Sequence, residues 1–90
     1  MWKVIVDYDA SRPLDEQDAV DTTLDRLADE AGEVVESGAG SGFGRRDLDY
    51  AFETEAEAVC LAESVEAAFA DRPGLDLTVR AVSLDETFDA

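Results

Sequence analysis

Leu48-Asp49-Tyr50-Ala51-Phe52-Glu53-Thr54-Glu55-Ala56-Glu57-Ala58 changes its hydrophobic period in the middle, and that change decides the fold. Up to Phe52, the apolar residues Leu48, Tyr50 and Phe52 alternate with Asp47, Asp49, Ala51 and Glu53, as in a strand buried on one face. Beyond Thr54 the spacing becomes helical: Ala58, Leu61, Ala62, Val65, Ala68 and Phe69 form an i, i+3, i+4 series. Thr54 and Glu57 make the T-x-x-E capping box, which satisfies unpaired N–H groups at a helix start. Arg72-Pro73-Gly74 stops the helix, because proline cannot continue it.

Upstream, Gly38-Ala39-Gly40-Ser41-Gly42-Phe43-Gly44 is too rich in glycine for a helix. A short strand is expected before it at 33–37, with the glycine run itself as a long, mobile hairpin. Further back, Val20, Leu24, Leu27, Ala28 and Ala31 recur at helical spacing, with Asp18, Asp21, Asp25 and Asp29 on other faces. Asp15 is the expected N-cap after Pro13, and Gly32 the expected left-handed residue just past the helix end. At the start, Trp2, Val4, Val6 and Tyr8 alternate with Lys3, Ile5, Asp7 and Asp9, a first strand. A last strand is expected over 75–84 with Leu77, Val79 and Ala81 toward the core. A loose acidic tail follows, in which Phe88 is available to dock.

The order β-α-β-β-α-β, with short links, predicts an α+β two-layer sandwich. It resembles the ferredoxin-like architecture: a four-stranded antiparallel sheet, order 4-1-3-2, with two helices on one face. One such domain is expected over 1–85, with a short acidic tail at 86–90. That fold hosts many unrelated functions, so function must come from a site.

Twenty-three Asp and Glu against seven Lys and Arg give a net charge of −16, with no histidine and a single lysine, Lys3. Like charges on a small domain repel one another and destabilise the compact state. Near 1 M salt the Debye length falls to about 3 Å, which relieves this. The composition, with its fourteen alanines, resembles that of proteins from salt-in halophiles. Disorder is the competing reading of such charge, but 46% of the residues are hydrophobic and they recur periodically. The N-terminal sequence has neither the basic nor the long apolar region of a signal peptide, and no stretch reaches the roughly 18 apolar residues of a membrane span. One cysteine, Cys60, allows no internal disulfide, so a cytoplasmic protein is expected.

Four of the cations fall in loops that this topology brings to one end: Arg12, Arg45, Arg46 and Arg72. Arginine suits bidentate capture of carboxylate or phosphate. With Gly42 and Gly44 on the hairpin, these residues form a candidate anion site. The alternative is that each arginine ties down a nearby carboxylate such as Asp9, Asp15, Asp47 or Asp71. The glycine run is no dinucleotide fingerprint, since it joins two strands and opens no helix. Its remaining functional reading is a flap or a backbone N–H nest.

The open sheet face should show Lys3, Ile5, Asp7, Asp47, Asp49, Ala51, Thr78, Arg80 and Val82, with charge pairs across strands. Asp49-Tyr50-Ala51-Phe52 resembles part of the RNP1 motif of RNA-recognition domains. Asp49 replaces its glycine, though, and Tyr50 and Phe52 share the core side with Leu48. With net negative charge, no nucleic-acid role is expected. Asp71-Arg72-Pro73-Gly74-Leu75 resembles a string of ACT domains but precedes the last strand instead of following the first. Acylphosphatases share the topology and use an Arg after the first strand, yet no matching loop surrounds Arg12. Without histidine there is no imidazole base or ordinary zinc site, and Cys60 reads as a small packing residue.

These residues point to a non-enzymatic, salt-adapted interaction domain, as a homodimer or with a protein partner, through the arginine end or an exposed strand edge. An anionic-metabolite sensor is the alternative. No cofactor, metal, nucleic acid or membrane is expected.

Overall fold

Strand alternation and helix periodicity become, in the computed structural model, four strands and two helices over the described residues 1–84. β1 (Trp2–Asp9), α1 (Leu14–Ala31), β2 (Glu36–Gly42), β3 (Arg45–Phe52), α2 (Glu55–Phe69) and β4 (Thr78–Ser83) follow in that order. The sheet runs β2-β3-β1-β4, every neighbouring pair antiparallel. This is the ferredoxin-like α+β sandwich expected from the sequence. The expected tail at 86–90, including Phe88, lies outside the described residues.

β1 is central. It pairs with β3 from Trp2↔Phe52 to Asp9↔Arg45 and with β4 from Trp2↔Ser83 to Asp7↔Thr78. That register stacks Val4, Val6, Tyr8, Leu48, Tyr50 and Phe52 on the helix side, where they meet Val20, Leu24, Ala28, Ala58, Leu61, Val65 and Phe69. Trp2, Leu77, Val79 and Ala81 pack at its rim. The molecule is 19 Å across its thinnest axis, one helix layer on one sheet.

Several boundaries differ from the sequence reading. The second strand begins at Glu36, and the glycine run is that strand rather than a long mobile hairpin. Only Phe43 and Gly44 turn the chain, at φ 53 and φ 78. Two consecutive positive values belong to the tight primed turns that match strand twist. Glycine in β2 makes room for its neighbour: a Cβ on Gly38 would sit 3.3 Å from an Asp49 carboxylate oxygen, and one on Gly40 3.3 Å from Asp47.

At α1, Pro13 and not Asp15 is the N-cap. Proline needs no N–H partner there, and the Gln17 side-chain amide ties the entry by donating to Ala10 O at 3.1 Å and Arg12 O at 2.7 Å. Asp15 lies inside the first turn, accepting from Glu16 N at 3.0 Å. Gly32 ends the helix in extended backbone, φ 169, rather than in the left-handed region. Glu57 lies against it, so a side chain there would have to displace the Glu57 carboxylate. That carboxylate accepts from Glu33 N at 2.9 Å and from the Thr54 hydroxyl at 2.7 Å, so the α2 cap also fixes the approach to β2.

β4 is shorter than expected, because Leu75 belongs to a 3-10 turn, Pro73–Leu75, that buries it. Ala68 and Cys60, read as inward-facing or packed, are exposed on the outer surface of α2. Among the described residues no helix is long and apolar enough to cross a membrane.

Candidate functional site: the loop end and the uncovered sheet edge

The β1–α1 loop, the Phe43-Gly44 turn and the chain between α2 and β4 meet at one end of the sheet. Ala10 N donates to Gly44 O at 2.9 Å. Arg12 and Arg72 converge on one oxygen of Glu16, from 3.9 and 3.3 Å. The Arg12 guanidinium lies against Gly74, where a Cβ would be 2.5 Å from Nη2, and its Nε is buried without a partner among the described residues. The Arg72 guanidinium sits 5.8 Å from the Phe69 ring centroid, within cation–π range.

Arg45 and Arg46 are adjacent in sequence and therefore face opposite sides of the sheet. Arg45 lies on the open face, where it donates to Asp7, to Asp76 Oδ2 at 2.9 Å and to Asp76 O at 2.7 Å. Arg46 lies on the helix side and grips Asp21 of α1 through Nε at 3.0 Å and Nη2 at 2.8 Å. It also donates to Ser41 Oγ at 3.2 Å. The end thus gathers Arg12, Arg45 and Arg72, while Arg46 belongs to the helix face. Gly42 and Gly44 stand in open space, and Gly44 is required by its positive φ.

All four arginines hold carboxylates, but not the ones the sequence singled out. Asp7, Asp76, Asp21 and Glu16 replace Asp9, Asp15, Asp47 and Asp71. Most of these partners are distant in sequence; only Glu16, four residues after Arg12, is local to one of its arginines. For Asp7, partial burial would raise the pKa, but the Arg45 and Thr78 donors outweigh it and hold the carboxyl below its ordinary range. Beside these ion pairs, a groove of about 470 Å³ runs between the end of α2 and β4, lined by Glu66, Phe69, Arg72, Asp76, Thr78 and Val79.

On the helix side, two core tyrosines reach polar partners at α1. Tyr8 donates to Asp21 Oδ1 at 2.7 Å and Tyr50 to Asp25 Oδ1 at 2.6 Å. Burial, then the neighbouring carboxylates, push both phenols well above their ordinary value. Tyr50 is 3% exposed and Phe52 fully buried, so neither ring is offered for base stacking.

The other unusual region is β2. Six of its seven residues are exposed and only Gly40 is half-buried. From Ser37 to Gly44 there is no charged side chain, the longest such run in a chain of net charge −16. Residues flanking a two-residue turn form a hydrogen-bonded pair, so Gly42, Gly40 and Gly38 direct their backbone groups to β3. Ser41, Ala39 and Ser37 direct theirs outward, where no strand pairs with them among the described residues. At the tip, Phe43 is fully exposed and left-handed. Phe43 lies outside every hydrophobic period of the chain; an aromatic between two glycines at a turn is its one signal in the sequence.

Among the described residues, no three Cys, Asp or Glu side chains converge where a metal ion could be held. In comparisons with known proteins, no family model and no curated protein matches the chain.

Proposed function

We propose that this is a salt-adapted, non-enzymatic interaction domain of the cytoplasm, which binds another protein chain through the β2 edge and the Phe43 tip. The observation that carries this reading is Phe43. A bulky residue at φ 53 is strained, and a fully exposed phenyl ring gains nothing from burial. Asn-Gly is the sequence such a turn favours on its own account. A residue that costs stability in the free protein, beside an edge that no strand pairs with among the described residues, is best explained by a contact that covers it.

The test is affinity capture in high-salt buffer with wild-type and Phe43→Asn protein as baits. The wild-type bait should retain a partner that the variant loses. No capture, or equal capture by both, would contradict the reading. The salt element predicts a melting temperature higher in roughly 1 M KCl than in dilute buffer, because shorter screening relieves repulsion among the carboxylates. Equal stability in the two would remove it.

A second reading keeps the loop end as an anion site. It is favoured by the convergence of Arg12 and Arg72 on one Glu16 oxygen, with Arg12 Nε buried and without a partner among the described residues. A free anion would take the place of the Glu16 carboxylate. Thermal shift with citrate and with inorganic phosphate should then show stabilisation that Arg12→Ser and Arg72→Ser abolish. No shift with either anion would refute it.

A further inference from the structure

We infer that the occupant of the β2 edge is an extended peptide segment with Lys or Arg at every second position, added as a fifth strand. This rests on the interaction reading above and specifies the partner's chemistry. An added strand would hydrogen-bond to the outward N–H and C=O groups of Ser37, Ala39 and Ser41, the mode by which peptides extend exposed sheet edges. Side chains of a strand alternate between faces, so its open-face residues fall on the rows that begin with Glu36, Gly38, Gly40 and Gly42.

Those rows carry a charge pattern. Glu36 is the first group met on one of them. On the next two, glycine offers no side chain to cross, and the Asp49 and Asp47 carboxylates already lie over the β2 backbone. Asp47 has no ion-pair partner among the described residues, and Asp49 holds only Lys3, at 3.8 Å. Three consecutive open-face positions therefore suit cations. The fourth row leads from Gly42 to Arg45 and ends beside Phe43, which suits an apolar residue. On the helix side, a depression of about 310 Å³ beside the same edge is lined by Asp25, Asp29, Val34, Ser37 and Tyr50, again acidic.

A second copy of this chain fits the edge poorly. It would bring another net charge of −16 and set its own Asp47 and Asp49 across the glycine floor. Its seven cations occur nowhere in alternation. Contact-distance pairs keep more of their attraction in salt than the long-range field does, so a basic strand remains favoured where the protein is most stable.

The test uses two fluorescein-labelled peptides, Leu-Thr-Lys-Thr-Lys-Thr-Lys and its reverse, because a strand can add in either direction. A version with Glu for Lys is the control, and binding is read by anisotropy. One of the two lysine peptides should bind and the glutamate version should not. Joint Asp47→Asn and Asp49→Asn substitution should weaken binding about tenfold, the size of two exposed ion pairs. Ala39→Pro removes an outward N–H that an edge strand can spare and should abolish binding, with circular dichroism confirming the fold. Equal binding of the glutamate peptide would overturn the inference, as would binding that survives Ala39→Pro, or a dimer that Ala39→Pro dissolves. If no peptide binds while wild-type bait still captures a partner that Phe43→Asn loses, the basic segment is wrong and the interaction reading stands. If neither occurs, both fall.

Discussion

The two edges of the sheet are built differently. β4 is committed on both faces: Val79 and Ala81 pack at the rim of the core under α2, and Thr78 donates to Asp7 at 2.8 Å while Arg80 adds positive charge beside the same carboxylate. A short edge strand with a cation is a common defence against unwanted pairing. β2 has none of these features, being uncharged from Ser37 onward and exposed on both sides. In a protein so heavily coated with carboxylates, an undefended edge beside an exposed Phe43 is the surface on which we propose contact.

Placing one charge at equivalent positions on the two edges gives the largest contrast. Val79 and Ala39 both face the helix side, opposite Val6 and Leu48. Val79→Asp should cost about 2–3 kcal/mol by pushing a carboxylate against the core, whereas Ala39→Asp should stay within about 0.5 kcal/mol. Urea unfolding in roughly 1 M KCl measures both. Equal losses would mean that β2 is as covered as β4.

The core beneath β1 and β3 gives the next effect, and it is one of pH. Tyr8 and Tyr50, the only tyrosines, have folded pKa values raised above the ordinary 10.0 by burial first and then by Asp21 and Asp25. A raised value means that their contribution to stability is complete below the unfolded pKa and is lost as pH rises through the folded one. Tyrosinate absorbance should therefore appear together with loss of helical circular dichroism, above the ordinary tyrosine range. A titration near 10 with the fold intact would place the rings in water.

The smallest effect is at the tip. Phe43→Asn should raise stability by about 0.5–1 kcal/mol, because asparagine tolerates the left-handed turn. A loss of stability would mean that Phe43 packs in the free protein, and the contrast between the two edges would weaken.

What could be read from the sequence follows the same division. β1, β3, α1 and α2 each bury one face, so Val4-Val6-Tyr8, Leu48-Tyr50-Phe52 and the helical series carried their period openly. β2 buries neither face, so no alternation marked it, and the glycines that make room for Asp47 and Asp49 looked like loop. The start of α1 was misplaced because Gln17 reaches back from inside the helix to do part of a cap's work. The end where Arg12, Arg45 and Arg72 gather followed from topology, but their partners did not. Asp7 and Asp76 come from another strand and from the turn before β4, Glu16 from the first turn of α1, and Asp21 of α1 takes Arg46 to the opposite face.

Amide hydrogen exchange, resolved residue by residue with and without the captured partner, tests the central claim most directly. The free protein should exchange Ser37, Ala39 and Ser41 rapidly while Gly38 and Gly40 are protected by β3, and partner should slow the first three. Slow exchange at Ser37, Ala39 and Ser41 in the free monomer, or rates that partner leaves unchanged, would contradict the account.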